Sequence, residues 1–116
     1  KGYTGYLRWA YMSWVLEPLL DSRFRNWPAG DTYFVYPEAR TSIRFERLRE
    51  GIQDFEKIRI LRETLNARNT RETREALQLL DEHLEKYEIS TLEKKPAGVM
   101  LSEGKIILDR LSKQNL

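Results

Sequence analysis

The residues whose types and spacing could do chemistry are concentrated between positions 2 and 36. That stretch holds all three Trp (Trp9, Trp14, Trp27), five of the six Tyr and two of the four Phe. Within it, Trp9, Tyr11, Trp14, Trp27 and Tyr36 are the candidate ligand-contacting residues. Aromatic rings offer flat, largely apolar faces. Sugar rings present C–H faces that stack on such surfaces, while their hydroxyls need Asp, Asn or Arg. Arg8, Asp21 and Arg23 lie in the same stretch. The same rings can also be core, because large aromatics dominate core energetics, so Trp9 reads either way. Trp14 and Trp27 fall in a connection, where function is found more often than in core positions.

Other chemistry is sparse. The single histidine, His83, lies off the apolar stripe of its helix and has no Cys or His at metal spacing, so it reads as a solvated surface residue. The acid pairs Asp54/Glu56 and Asp81–Glu82 could in principle serve glycoside hydrolysis. Their Lys- and Arg-rich surroundings fit solvated helix faces better. There is no nucleophile elbow, phosphate loop or dinucleotide turn. Without cysteine, disulfides, thiol catalysis and Cys-based zinc sites are excluded. No metal or other cofactor is expected.

The 116 residues carry 20 basic and 18 acidic side chains, which is a mixed surface rather than a basic one. Only Lys1, Arg8, Arg23 and Arg25, set against Glu17 and Asp21, lean positive, so no nucleic-acid partner is expected. No apolar run approaches the roughly 20 residues of a membrane span, and no membrane partner is expected either. The start, KGYTGYLRW, lacks an initiator Met and a signal-peptide pattern. It reads as cut from a longer chain.

The elements that must position the aromatic residues follow from periodicity. Residues 6–11 alternate and read as a strand, with Leu7, Trp9 and Tyr11 on one face. Residues 12–30 form a long connection broken by Pro18 and Pro28. Pro28-Ala29-Gly30-Asp31 is a turn signature. Residues 32–36, TYFVY, read as the strongest strand. The two strands can be parallel across a crossover or antiparallel around an excursion. From Ser42, a plausible N-cap, the period becomes helical, with Phe45, Leu48, Ile52, Phe55, Ile58, Leu61 and Leu65 as one stripe. A second helix is predicted over about 70–88, with Asn69 and Glu72 as its capping pair. Residues 90–101 read as a loop. A short third helix is predicted to start at Ser102, burying Ile106, Ile107 and Leu111.

The runs GYLRWAYMSW, DSRFRNWPAGDTYFVYP and SIRFERLREGIQDFEKIRIL resemble the C-terminal end of the catalytic domain of glycoside hydrolase family 123. The same pattern recurs in the broader group called domain of unknown function 4091. The resemblance covers roughly residues 2–65, and residues 66–116 match only as a generic helical tail. It implies a (β/α)8 barrel that removes N-acetylgalactosamine from glycans by substrate-assisted hydrolysis. In that chemistry the substrate's acetamido group attacks, oriented by an acid, while a neighbouring Glu donates the proton. The resemblance places that dyad on an earlier barrel strand with no matching segment here, so no catalytic residue is assigned in this chain. Met12 stands where relatives often carry Asn or Asp, which implies the loss of a direct sugar hydrogen bond at that position and an altered specificity, or none. Barrel sites lie at the C-terminal ends of strands, here Tyr11 to Trp14 and Tyr36 to Arg40. Asp31, before its strand, is expected to be structural.

A whole barrel needs about 250 residues. The expected fold is therefore an α+β fragment, two short strands plus about three helices, resembling the last β/α units of a (β/α)8 TIM-type barrel. Residues 1–65 would be its strands and first helix, and 66–116 a helical tail packed on them. The expected partners are a glycan or amino sugar and the upstream part of the same polypeptide. Exposed strand edges would make the isolated fragment self-associate. The resemblance suggests a periplasmic or extracellular parent protein. Two other readings stand beside it: a stand-alone carbohydrate-binding module, and a protein-interaction module using residues 43–88.

Overall fold

The computed structural model describes residues 4–21, 23, 27–94 and 96–116. Lys1 and Arg25 of the basic lean, and Phe24 in the long connection, lie outside the described residues. The fold is α+β, with two antiparallel strands and four helices among the described residues. The chain forms two compact units, Lys1–Gly51 and Ile52–Leu116.

In the first unit, β1 (Val35–Tyr36) turns through Pro37–Ala39 into β2 (Arg40–Thr41). Val35 pairs with Thr41 and Tyr36 with Arg40. Glu38 and Ala39 both sit in the left-handed region, at φ 60° and 57°, which lets so short a link reverse the chain. The Arg40 N–H returns to the Pro37 carbonyl, and the Arg40 guanidinium bonds Glu38 at 2.6 Å.

The strand predicted over 6–11 does not form. Its end meets the 32–35 segment at one antiparallel bridge, Met12 to Tyr33. The Tyr11 carbonyl accepts from the Phe34 and Val35 N–H groups at 3.0 and 3.1 Å, and Ser13 N–H donates to Thr32 O at 3.3 Å. Aromatic strand propensity is a packing preference that needs a cross-strand neighbour, and Leu7 (97% exposed) and Trp9 (77%) have none. The predicted 32–36 strand is ladder-paired only at its last two residues. Tyr33 and Phe34, neighbours in sequence, are both buried, so this segment is enclosed on two sides instead of alternating.

Helix α1 runs Ile43–Arg68. Ser42 starts it: its Oγ accepts from Phe45 N–H at 3.2 Å and donates to the Phe34 carbonyl at 2.8 Å. The capping hydroxyl thus ties the helix start to the aromatic segment. Asn69, in the left-handed region at φ 46°, ends α1 with its N–H on the Leu65 carbonyl, as helix-terminating Asn residues do. It does not cap α2 (Arg71–Glu85). Thr70 does, in a reciprocal box with Thr73, because the Thr73 hydroxyl takes the acceptor role usually filled by Glu or Gln.

Helix α3 (Ile89–Leu92) lies in the predicted loop, and α4 spans Ala97–Asn115. Ser102 lies inside α4 and donates to the Gly98 carbonyl one turn back. Pro96 begins the helix without conflict, since proline is tolerated where the first N–H groups have no intrahelical partner. The core of the second unit is Leu61 and Leu65 from α1, Leu80 from α2, and Leu108 and Leu111 from α4, flanked by Ile58, Ala76, Leu77, Leu79, Leu84 and Ile107. Ile106, predicted inside, is 69% exposed. Of the α1 stripe, Leu61 and Leu65 are buried, whereas Ile52 and Phe55 are exposed.

Candidate functional site

The five candidate residues lie in the first unit and differ sharply in environment. Trp14 is half-buried, and its indole N–H donates to the Val35 carbonyl at 2.8 Å. Tyr11 is half-buried, edge-on to Phe34 with centroids 5.5 Å apart. Tyr36 is half-buried, its ring 5.5 Å from that of Tyr33. Trp9 and Trp27 are 77% and 48% exposed. Among the described residues, no ring contact joins any two of the five.

What unites the region is the Thr32–Val35 segment. Tyr33 is fully buried. Its hydroxyl accepts from Val15 N–H at 3.2 Å and donates to the Asp21 carbonyl at 3.4 Å. Thr32, also fully buried, donates its hydroxyl to the Ser13 carbonyl at 2.9 Å. These bonds and that of Trp14 clamp the 11–21 connection to the scaffold at several points. Tyr33 and Thr32 were not among the candidate residues, and no sequence pattern separates them from Tyr36. Their roles come from contacts with residues twelve to nineteen positions away.

The polar groups are already paired. Arg8 binds the Asp31 carboxylate and its backbone carbonyl and lies over the Phe34 ring, 5.3 Å from its centroid. Its Nε is buried without a partner. Asp31 thus anchors the segment around Trp9. Just before it, Gly30 adopts φ +80°, a conformation that favours glycine. The Arg44 guanidinium of α1 rests on the face of Gly30 where a side chain would be. Asp21 accepts from the Arg23 N–H, Nε and Nη2 groups at 2.8–2.9 Å. Those bonds hold its carboxyl down to about 2.

The perturbed carboxylates all move the same way. Bonds from Arg23 lower Asp21, backbone and Thr70 hydrogen bonds lower Glu72, and Lys57 lowers Asp109. A general acid for glycoside cleavage needs the opposite shift. The Asp81–Glu82 pair is engaged structurally: Asp81 pairs with Arg62 of α1, and Glu82 accepts from Gln78 at 2.8 Å. Glu56 of the other pair accepts from Arg59 at 2.9 Å. His83 is not solvated; it is 3% exposed within the second unit. Among the described residues, no group of three or more His, Asp or Glu stands together as a metal site. No helix there is long and apolar enough to cross a membrane.

A search of curated proteins finds no match. The family model "Glycoside hydrolase 123, catalytic domain" matches residues 1–61, from the aromatic segment through the start of α1 to the first core leucine. That is more than half of the chain, and the chain belongs to the glycoside hydrolase 123 catalytic-domain family.

Proposed function

We propose that this chain is the C-terminal part of a family 123-type catalytic domain that acts on N-acetylgalactosamine-containing glycans. It supplies one aromatic wall of the sugar site, and the carboxylates that orient the acetamido group and protonate the leaving oxygen come from an upstream segment of the same polypeptide. The observation that carries this reading is the pairing of two exposed indoles, Trp9 and Trp27, with an adjoining connection clamped at Tyr11, Ser13, Val15 and Asp21. A connection already held in place loses little freedom on binding. Asp21, Glu72 and Asp109, the carboxylates that are shifted, are all lowered, which supports placing the acid–base pair elsewhere.

The barrel reading assigns Thr32–Tyr36 to one barrel strand. Neighbouring strands of a (β/α)8 barrel are parallel, so the antiparallel bridge at Met12 is not a barrel pair, and residues 11–13 belong to a site-forming connection. The exposed Leu7, Leu16 and Leu20 then lie under the rest of the catalytic domain. An aryl N-acetylgalactosaminide assay tests the assignment. The full-length gene product is expected to turn the substrate over and this chain alone to be inert; turnover by the chain alone overturns the division of labour.

The exposure of Trp9 and Trp27 also favours a second reading, a stand-alone sugar-binding module. It predicts that N-acetylgalactosamine changes the Trp fluorescence of the isolated chain. A flat titration, with activity in the full-length product, decides for the first reading.

A further inference from the structure

His83 is the only histidine in the chain. In α2 it faces the first half of α4 and is 3% exposed. One turn on, Tyr87 donates its hydroxyl proton to the Met100 carbonyl of α4 at 3.0 Å. A phenol has one proton to give. The 3.2 Å contact between the Tyr87 oxygen and His83 Nε2 must therefore be donated by the imidazole. The neutral ring carries its proton on Nε2, and Nδ1 is a bare lone pair. That nitrogen is buried with no hydrogen-bond partner. The ring is edge-on to Tyr87, 5.4 Å between centroids. On the α4 side it meets Gly104, where an added Cβ would lie 2.7 Å from Nε2 and 2.6 Å from the Tyr87 oxygen. The seam is fitted to a neutral imidazole lying against a bare helix backbone.

We propose that His83 is an acid-sensitive latch, and that protonation of its Nδ1 releases the first half of α4, residues 97–104, from α2. An imidazolium is a donor at both nitrogens, and the new N–H would be buried with no acceptor, which the fold can relieve only by letting the ring out. The ring leaves past Gly104 and takes the Tyr87–Met100 bond with it. The buried side chains of α4, Leu108 and Leu111, lie beyond this stretch, so the rest of the helix stays on the core. The surrounding charges have mixed effects. Burial first, then Lys86 on α2, hold the imidazole below its ordinary 6.5, while Glu103 on α4 pulls the other way. Asp54 on α1 and Glu103 act with burial to raise the Tyr87 phenol, keeping it a neutral donor.

The sign follows from proton linkage. The open form binds the proton more readily than the closed form. The closed seam is therefore fully stable above pH 6.5 and loses stability as pH falls from there through the lower value of the buried ring. The lone histidine makes this directly measurable by NMR. Titrating the intact chain from pH 8 to pH 5 is expected to show the Nε2–H tautomer and a His83 titration below 6.5. Amide exchange over residues 97–104, corrected for its intrinsic pH dependence, should accelerate through that titration. His83→Gln keeps an N–H that reaches the Tyr87 oxygen but cannot titrate, and should abolish the acceleration. Should that variant not fold, Gly104→Ala displaces the ring and should return the titration to about 6.5. A wild-type titration at or above 6.5, or the same corrected exchange profile in wild type and His83→Gln, overturns the proposal.

Discussion

Replacing Trp14 by Phe and Trp9 by Ala should separate the structural indole from the exposed one. The two residues are five apart in an aromatic-rich run, but their surroundings differ. Trp14→Phe removes the 2.8 Å bond to the Val35 carbonyl, worth about 1 kcal/mol net. The smaller ring also forgoes part of its burial, roughly another 1 kcal/mol. Trp9 is 77% exposed, so its truncation should change stability by no more than about 0.5 kcal/mol. All three tryptophans lie in the first unit, so intrinsic fluorescence during urea unfolding follows that unit, and the remaining indoles still report in each variant. With a urea slope of about 1–2 kcal/mol per molar, Trp14→Phe should lower the fluorescence midpoint by about 1–2 M, and Trp9→Ala should barely move it. The proposed function predicts the reverse ranking in a sugar titration of the full-length gene product, with Trp9→Ala weakening binding more. Equal shifts of the unfolding midpoint for the two variants would refute the division of the indoles into strut and contact surface.

Three further outcomes follow from the same geometry. Leu65→Ala empties a fully buried core position and should cost about 3 kcal/mol, read as a lower midpoint in helical circular dichroism. Gly30→Ala should cost about 1–2 kcal/mol because φ is +80°. The Arg44 head group can swing aside, so adding Arg44→Ala should not recover the loss in fluorescence-detected unfolding. The Asp21 carboxyl, at about 2 because of Arg23, is a lowered acid. Its contribution is present above 3.8 and is lost as pH falls toward 2. Arg23→Ala should return the carboxyl toward 3.8 in a carbon-detected NMR titration.

Local periodicity made α1 and α2 legible. The steps of three and four from Phe45 to Leu65 locate α1, and its boundaries depend on residues next to it, Ser42 and Asn69. Even there, the choice between Asn69 and Thr70 as the cap of α2 could not be made from residue preference, because both types cap helices well. It was settled by Asn69 being used to end the preceding helix. The strand over 6–11 failed for the opposite reason. Its aromatic residues carry strand propensity only through neighbours that the chain must bring from elsewhere, and at Met12 it brings a single bridge. His83 was misread because helix periodicity places a residue on a face but does not say what covers that face. The cover is the bare backbone at Gly104, twenty-one residues later, and Gly98 and Pro96 made the start of that helix look like a loop.

The candidate site shows the same division between residue type and environment. The concentration of aromatics singled out residues 2–36, and residue type suggested that Arg8, Asp21 and Arg23 would be available for sugar hydroxyls. In the structure these groups are taken up by one another and by the scaffold, Arg8 with Asp31 and Asp21 with Arg23. Any hydroxyl bound here must therefore share a carboxylate or guanidinium that is already bonded. The Asp21 oxygens keep lone pairs free for this, since Oδ1 takes two bonds and Oδ2 one from Arg23. The Arg8 guanidinium is more tightly committed, lying over Phe34 and bonded twice to Asp31. Arg8 is thus a brace for the segment that carries Trp9, and under the proposed function Asp21 is the polar group here best placed to accept from a sugar. Asp21→Asn keeps the size of the side chain but removes its charge, so under the proposed function it should weaken sugar binding by the full-length gene product, while the exposed ion pair it loses should move the fluorescence midpoint only slightly. Arg8→Met should instead lower the fluorescence midpoint, because it removes the brace to Asp31.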